Sequence, residues 1–451
     1  MQLLKIYMIS FLTVILVSVF GCSAVEAEES KSYGIADKTT ELQNELIHSA
    51  GKVVVLPAGS SFKVSGLTIP DNTTVIGYGA KIYNDTKHRT LLTVGNGVKI
   101  YGLELQGAGN KAADTAGVGI KIKGAKATSY VRNVVIEDCF IHDIGFYGIE
   151  AQFAEGVSVK NTVIEDVGYA GIGGLSVKNT HINKSHIKRV SPGVKGNAYG
   201  VFFSRAGANN SNLRDYPRSM NSSVTNTIIE DIPLWEALDT HGGENITFNY
   251  NTIKNTKVGI AFVNAKGNGG KEVFGSQKCT AKGNKIDGIG KGYGIVVAGA
   301  ASNHARDCTI ENNQIKNAGQ QGNTISGAIQ ASYTQNLIIK GNSLINCYAN
   351  GIHLYIRNKQ FMVTKNTIQD VQDRSYVATS AIAFRSNYNE GTISENILSR
   401  KNKSLNKYVA ARGINISVKT NMKLWIGKNT NTCVIPIAGG DGRHVTLAAP
   451  L

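Results

Sequence analysis

The chain has 451 residues, 42% of them hydrophobic, with 50 Gly, only 7 Pro and a formal charge of +16. The apolar content excludes a disordered chain, and the Gly/Pro balance excludes a proline-rich linker in favour of a fold with many tight turns. The charge calls for an anionic partner (nucleic acid, an anionic envelope or an acidic polysaccharide) or is a general surface property, since the basic residues are spread along the chain.

Residues 1–22, MQLLKIYMISFLTVILVSVFGC, carry Lys5, an apolar run from Ile6 to Phe20 and then Gly21-Cys22. This is an export signal rather than a fold element. VFGC resembles a bacterial lipoprotein cleavage box with Cys22 as the lipidated residue, which would attach the protein to the extracellular face of the membrane. Cleavage after Val25-Glu26-Ala27 would instead leave a secreted protein. No later apolar segment is long enough to span a bilayer. The segment TTELQNELIHSA, Thr39 to Ala50, has helical spacing and is placed to cap whatever follows. VVVLPAGSSFKVSG then begins a strand-rich region.

From about residue 130 one phrase keeps returning: EDCFIHDIG, KNTVIEDVG, KSHIKRV, TNTIIEDI, NYNTIKNT and others. Its anchoring aliphatics are Ile141, Ile164, Ile187, Ile229, Ile253, Ile286, Ile315, Leu344, Ile368 and Leu398. Successive anchors lie 23 to 33 residues apart, with a single step of 42. Between them runs a second phrase, as in YGIEAQF, AGIGGLS, YGVFFSR and VGIAFVN. Both phrases are short, β-branched and punctuated by Gly or Asn, as expected of strands joined by tight turns. Several strands per repeat of this length predict an all-β, single-stranded parallel β-helix with a short N-terminal capping helix. Asn recurring at one turn of each coil would let side-chain amides bond along the axis. The β-helix is expected over 33–420, with the β-rich tail 421–451 closing its C-terminal end. Five scattered cysteines, Cys139, Cys279, Cys308, Cys347 and Cys433, lack metal or disulfide spacing and read as small buried side chains.

The phrases TTELQNELIHSAGKVVVLPAG and LTIPDNTTVIGYGAKI resemble the entry of the pectate-lyase-like right-handed β-helix superfamily. That resemblance implies the architecture but not the activity, because the superfamily holds lyases, epimerases, hydrolases and phage tailspike depolymerases.

Chemistry concentrates in LDTHGGENI, Leu238 to Ile246. Residues two apart share a face of a strand. If Leu238 takes the inward place of Val201 and Ile260, then Asp239 and His241 both point outward, among Phe202, Ser204, Ala261 and Val263. The 42-residue step places an insertion, Ser204 to Ser223, one coil away, with Arg205, Arg214 and Arg218 around Tyr216. Arg offers paired donors to carboxylates and Tyr a flat face to sugar rings. A second insertion, Ala265 to Lys278, brings Asn264 and Lys266 to the strand end. Among the other histidines, His353 lies on an outward place near Tyr355 and Arg357, while His142, His181, His186 and His304 fall in turn-side strands.

LDTHGGENITF followed by GIAFV resembles the alginate (mannuronan) C5-epimerase and related lyase pattern, in which Asp-Pro-His ends a β-helix strand. That resemblance implies catalysis by Asp239 and His241 at C5 of a uronate. Thr240 replaces the Pro, and the Lys and Tyr of that pattern have no anchored match here. Arg205, Tyr216 and Tyr199 are the substitutes available. The expected function is therefore a lyase or epimerase on an extracellular acidic polysaccharide, with Arg205 as carboxylate clamp. Arg214, Tyr216, Arg218, Glu236, Asn264 and Lys266 would bind substrate. A glycoside hydrolase would need a carboxylate pair. Glu236 and Asp239, three apart on one strand, should be about 10 Å from each other, with Asp215 or Glu150 as other partners. A non-catalytic glycan-binding protein is the third reading. No nucleic acid is expected as partner. A Ca²⁺ requirement stays open, since separate coils can assemble ligands that no local motif reveals.

Overall fold

The computed structural model describes residues 36–109, 116–192, 196–207, 212–289, 292–373, 379–401, 410–417, 422–439 and 445–447. The export signal and Cys22 lie outside them.

The repeated phrases become the rungs of a parallel β-helix. The ten anchors pair in register from coil to coil, Ile141 with Ile164 through to Ile368 with Leu398, and all are buried. A sheet of 15 strands forms one face. The remaining two faces merge into one system of 26 strands, because Ile228–His241 and Thr252–Val263 run unbroken around the corner between them.

Two columns of residues explain why the phrases repeat. The second residue after each anchor, from Asp143 to Asp370, has φ between 50 and 75°. Asp, Asn and Gly tolerate that left-handed conformation, and they fill all but one of these places. The second column is glycine at the next corner. A Cβ on Gly148, Gly171, Gly200, Gly259, Gly294 or Gly351 would sit 2.5–3.0 Å from the γ-methyl of an anchor isoleucine. The backbone must pass that close for the corner to close. Two successive residues, the glycine and the aliphatic after it, therefore point inward.

The expected asparagine ladder is present. Asn251, Asn284, Asn313, Asn342, Asn366 and Asn396 each donate Nδ2–H to the Oδ1 of the next, ending on Asn429, at 2.8–3.1 Å. Their backbone N–H groups donate to the same oxygens at 2.9–3.0 Å. Thr227, Ser185 and Thr162 continue the column toward the N-terminus. Each buried turn N–H thus finds an acceptor that no sheet supplies. Asn313→Leu would leave two donors of Asn284 buried without acceptors, an expected loss of about 2–5 kcal/mol. The urea midpoint and amide exchange at Asn284 would report it.

The predicted capping helix spans Thr39–His48, and its Leu42 and Leu46, one turn apart, are buried in the common core. At the other end, Lys423–Ile426, Ile435–Gly439 and Val445–Leu447 add further parallel strands to the stack. Cys139, Cys279, Cys308, Cys347 and Cys433 are buried free thiols. Burial raises the pKa of Cys139 and Cys347 to about 12, which leaves them inert. Among the described residues no helix is long and apolar enough to cross a membrane.

Candidate functional site

The register around the Asp-Thr-His phrase is the one the sequence implies. Val201 pairs with Leu238, which pairs with Ile260; Phe202, Asp239 and Ala261 share the next row. Thr240 points inward, buried, and its hydroxyl donates to the Phe203 carbonyl at 2.8 Å. A threonine at this place therefore ties the rung to the coil before it. Gly242, at φ 64°, turns the chain sharply after His241.

Asp239 is fully buried. Its Oδ2 lies 3.0 Å from His241 Nε2, while the His241 side chain stays 36% exposed. The other ring nitrogen, Nδ1, faces the Asn264 carbonyl at 3.4 Å. Both nitrogens thus face acceptors, an arrangement that requires a proton on each. Burial works against that charge, but the charge and hydrogen bond of Asp239, with help from Glu236 and the Asn264 carbonyl, hold the His241 pKa up at about 9. His241 is an imidazolium at neutral pH.

Glu236 stands elsewhere than expected. A straight strand would separate it from Asp239 by about 10 Å, yet the carboxylate oxygens and the His241 nitrogen all lie within 4.8 Å of one another. The reason is the corner. Ala237 occupies the glycine column, so Ala237 and Leu238 both point inward, and Glu236 and Asp239 emerge on either side of the bend. The ladder register also shifts just before Glu236. Burial, and then the charge of Asp239, push Glu236 up to about 8. Ca²⁺ takes six to eight oxygen ligands, and two carboxylates with one imidazole do not fit it.

A cleft of about 430 Å³ opens above the pair, lined by His241, by Tyr147, Tyr169, Tyr199, Leu175 and Phe202, by Ser204, Arg205 and Gly207 of the first insertion, and by Asn264, Ala265 and Lys266 of the second. The rings pack against one another, Tyr169 to Tyr199 at 5.6 Å and Tyr199 to Phe202 at 5.0 Å between centroids. Burial, reinforced by the charges of Asp239 and Glu236, raises the Tyr169 and Tyr199 pKa values, so their phenols keep their protons. Arg205 is almost buried, and its Nε and Nη2 donate to the Lys266 carbonyl at 3.2 and 3.0 Å. It latches the two insertions together. Ser176 Oγ pins the first insertion at both ends, accepting from the Ala206 N–H and donating to the Pro217 carbonyl.

Of the residues singled out in the sequence, Tyr199, Arg205, His241, Asn264 and Lys266 meet in this cleft. Glu236 and Asp239 lie behind His241, outside the lining. Arg214, Tyr216 and Arg218 are not in the lining either. Arg214 is exposed and paired with Asp215 at 3.0 Å. Tyr216 packs near Phe153, and the Arg218 guanidinium stacks 5.3 Å from the Phe274 ring and donates to the Gly275 carbonyl. His353 is buried rather than exposed on its face, and burial lowers its pKa to about 4. Sequence reasoning passed over Tyr147 and Tyr169. The available signal was an aromatic before the corner glycine in YGI and YAGI, on coils leading to Asp239.

The sequence matches none of the curated proteins. Among solved structures, a mutant tailspike protein of E. coli bacteriophage HK620 in complex with pentasaccharide aligns with a TM-score of 0.64 at 10% identity, over 93% of this chain and 78% of that one. A tailspike mutant of the same phage in complex with hexasaccharide aligns with a TM-score of 0.57 at 11% identity, over 92% and 76%. The family described as "Right handed beta helix region" matches residues 51–269 and 269–435. With that match running through nearly the whole stack of coils, the chain belongs to the right-handed β-helix family.

Proposed function

We propose that the protein is an extracellular enzyme acting on an anionic, uronate-containing polysaccharide by removal of the C5 proton, as a lyase or an epimerase. The observation that carries this reading is the cleft lining, which holds three cationic groups, His241, Arg205 and Lys266, and among the described residues no carboxylate. Such a lining attracts a sugar acid and repels nothing in it. Removing a proton beside a carboxylate places charge on that carboxylate, and preformed cations in a partly enclosed site stabilise the charge as it develops. The His241 imidazolium, fixed by Asp239, is the group suited to that task. Because burial and the nearby carboxyl groups keep protons on the phenols, Tyr199 and Tyr169 would donate a proton, to the leaving glycosidic oxygen in a lyase or back to C5 in an epimerase, and the C5 proton passes to water in the open cleft. The oligosaccharides held by the tailspike structures support a glycan as substrate. The export signal supports an extracellular setting, with Cys22 as the lipid anchor if the lipoprotein box is used.

A glycoside hydrolase is the second reading, favoured by the closeness of Glu236 and Asp239. Retaining enzymes hold their carboxyl groups about 5–5.5 Å apart. Against it, neither carboxylate reaches the cleft lining. Incubation with a panel of uronate polymers separates the readings. Elimination gives unsaturated-uronate absorbance, and epimerisation gives C5 proton exchange in heavy water. New reducing ends with neither signal would establish hydrolysis instead.

A further inference from the structure

Glu236 presents a charge-balance problem that the mechanism above leaves unused. It sits in a cluster with Asp239 and His241 whose donor atoms lie within 4.8 Å, Asp239 fully buried and the other two half-buried. Asp239 Oδ1 and Glu236 Oε2 are buried and accept no hydrogen bond among the described residues, and Asp239 Oδ2 faces the His241 ring at 3.0 Å. The Trp235 side chain hydrogen-bonds to Glu236, which favours the ionised form, and few other groups pack around it. Tyr199 pairs with it from the preceding coil and Val258 from the following one; the Tyr169 phenol also senses its charge. Lys257 is the nearby lysine, and its ammonium sits over the Trp235 ring at 4.5 Å, forming no ion pair with Glu236. Two carboxyl groups, Asp239 fully buried and Glu236 half-buried with its Oε2 covered, therefore share one imidazolium. If both were ionised, one negative charge would stand unpaired beside the buried one, an arrangement that proteins relieve by taking up a proton.

We infer that Glu236 is a positioning residue that works as the neutral acid, leaving Asp239 and His241 as an isolated ion pair whose remaining imidazolium N–H is free to turn from the Asn264 carbonyl to a substrate carboxylate. This rests on the proposed reading, in which His241 acts in its charged form. An ionised Glu236 would compete with the substrate for that imidazolium and repel an anionic sugar. The proton on Glu236 is present below about 8 and lost above it, so activity falls as pH rises through that range.

Three proteins test the inference: wild type, Glu236→Gln and Glu236→Ala, each studied by kcat/KM against pH and by NMR of ¹⁵N-histidine-labelled protein. Gln mimics the protonated acid. It should keep kcat/KM within about threefold at neutral pH, with the fall near 8 that belongs to Glu236 gone and the alkaline limit left to His241, held up by Asp239 without the help of a Glu236 charge. Ala opens a gap behind Asp239 and should lose about tenfold or more through misplacement of the pair. The NMR readout needs no substrate. The wild-type His241 resonance should show an inflection near 8 that disappears in Glu236→Gln. A Gln variant as inactive as Glu236→Ala would overturn the inference, because the ionised carboxylate would then be the working form. So would a wild-type His241 resonance without the inflection, or stoichiometric broadening of it by Mn²⁺, which would place a metal ion where the proton is assigned. If no uronate polymer reacts, the functional reading fails while the NMR result still decides the state of Glu236.

Discussion

Replacing His241 with alanine is expected to lower turnover of a uronate polymer by about 10²- to 10⁴-fold, the usual worth of a positioned proton-bearing side chain. The far-UV spectrum should stay that of a β-protein, because the ring lies outside the core and, among the described residues, its polar contacts are Asp239 and the Asn264 carbonyl. Asp239→Asn provides the companion measurement. It removes the charge that holds the imidazolium up at about 9 and leaves burial, which favours the neutral ring. The charged form is then lost at lower pH, and the alkaline limit of kcat/KM should move down, toward or below the ordinary histidine value of about 6.5. A His241→Ala enzyme with near-normal turnover would remove His241 from the reaction altogether.

The second large effect concerns the packing behind the site. Phe248 lies in the rung that follows the His241 turn and is fully buried. Its ring stacks 6.2 Å from Phe203 and 5.6 Å from Phe262. Those two residues pair with Thr240 from the coils on either side. Phe248→Ala therefore opens a cavity directly beneath the residue between Asp239 and His241. It should cost about 3–5 kcal/mol, seen as a lower urea midpoint and as faster amide exchange in the rungs around Thr240. Activity should fall as well. Phe361→Ala, several coils away at a buried ring tilted against Phe384 with centroids 5.9 Å apart, should cost a similar amount of stability and spare activity. In a solenoid, each coil contacts only its neighbours, so such damage stays local. Equal loss of activity in both variants would show that global stability, not the floor under Thr240, sets turnover.

The architecture was legible in the sequence because it rests on one-dimensional regularities. The anchors Ile141 to Leu398 repeat at coil length, and in-register stacking adds nothing that spacing does not already imply. Asp239 and His241 were legible for the same reason, since alternation from Leu238 decides which way they point. Glu236 was misplaced because alternation fails at a corner, where two adjacent residues face inward and fold a ten-ångström separation into contact range. The clue, a small residue before an aliphatic in GV, AL and GI, was in the sequence, but its geometric meaning depends on the Ile229 methyl that it must clear. The insertion arginines show the opposite case. Nothing in local pattern says whether a loop side chain turns toward the strand, as Arg205 does, or away from it, as Arg214 does. Long-range contacts such as that of Arg205 with the Lys266 carbonyl decide it.

The first insertion leaves the stack after Ser204 and returns at Met220, yet His181 still pairs with Ser223 and Ile187 with Ile229, as though nothing intervened. Register is carried by the rungs, so between the ends that Ser176 and Arg205 hold in place the length and composition of the insertion are free variables. The rung bearing Asp239 and His241 can persist through descent while that part of the loop is lengthened, shortened or exchanged. Under the proposed function, divergence in this lineage would then appear as new sugar preferences on an unchanged reaction, written in the stretch between the two anchored ends.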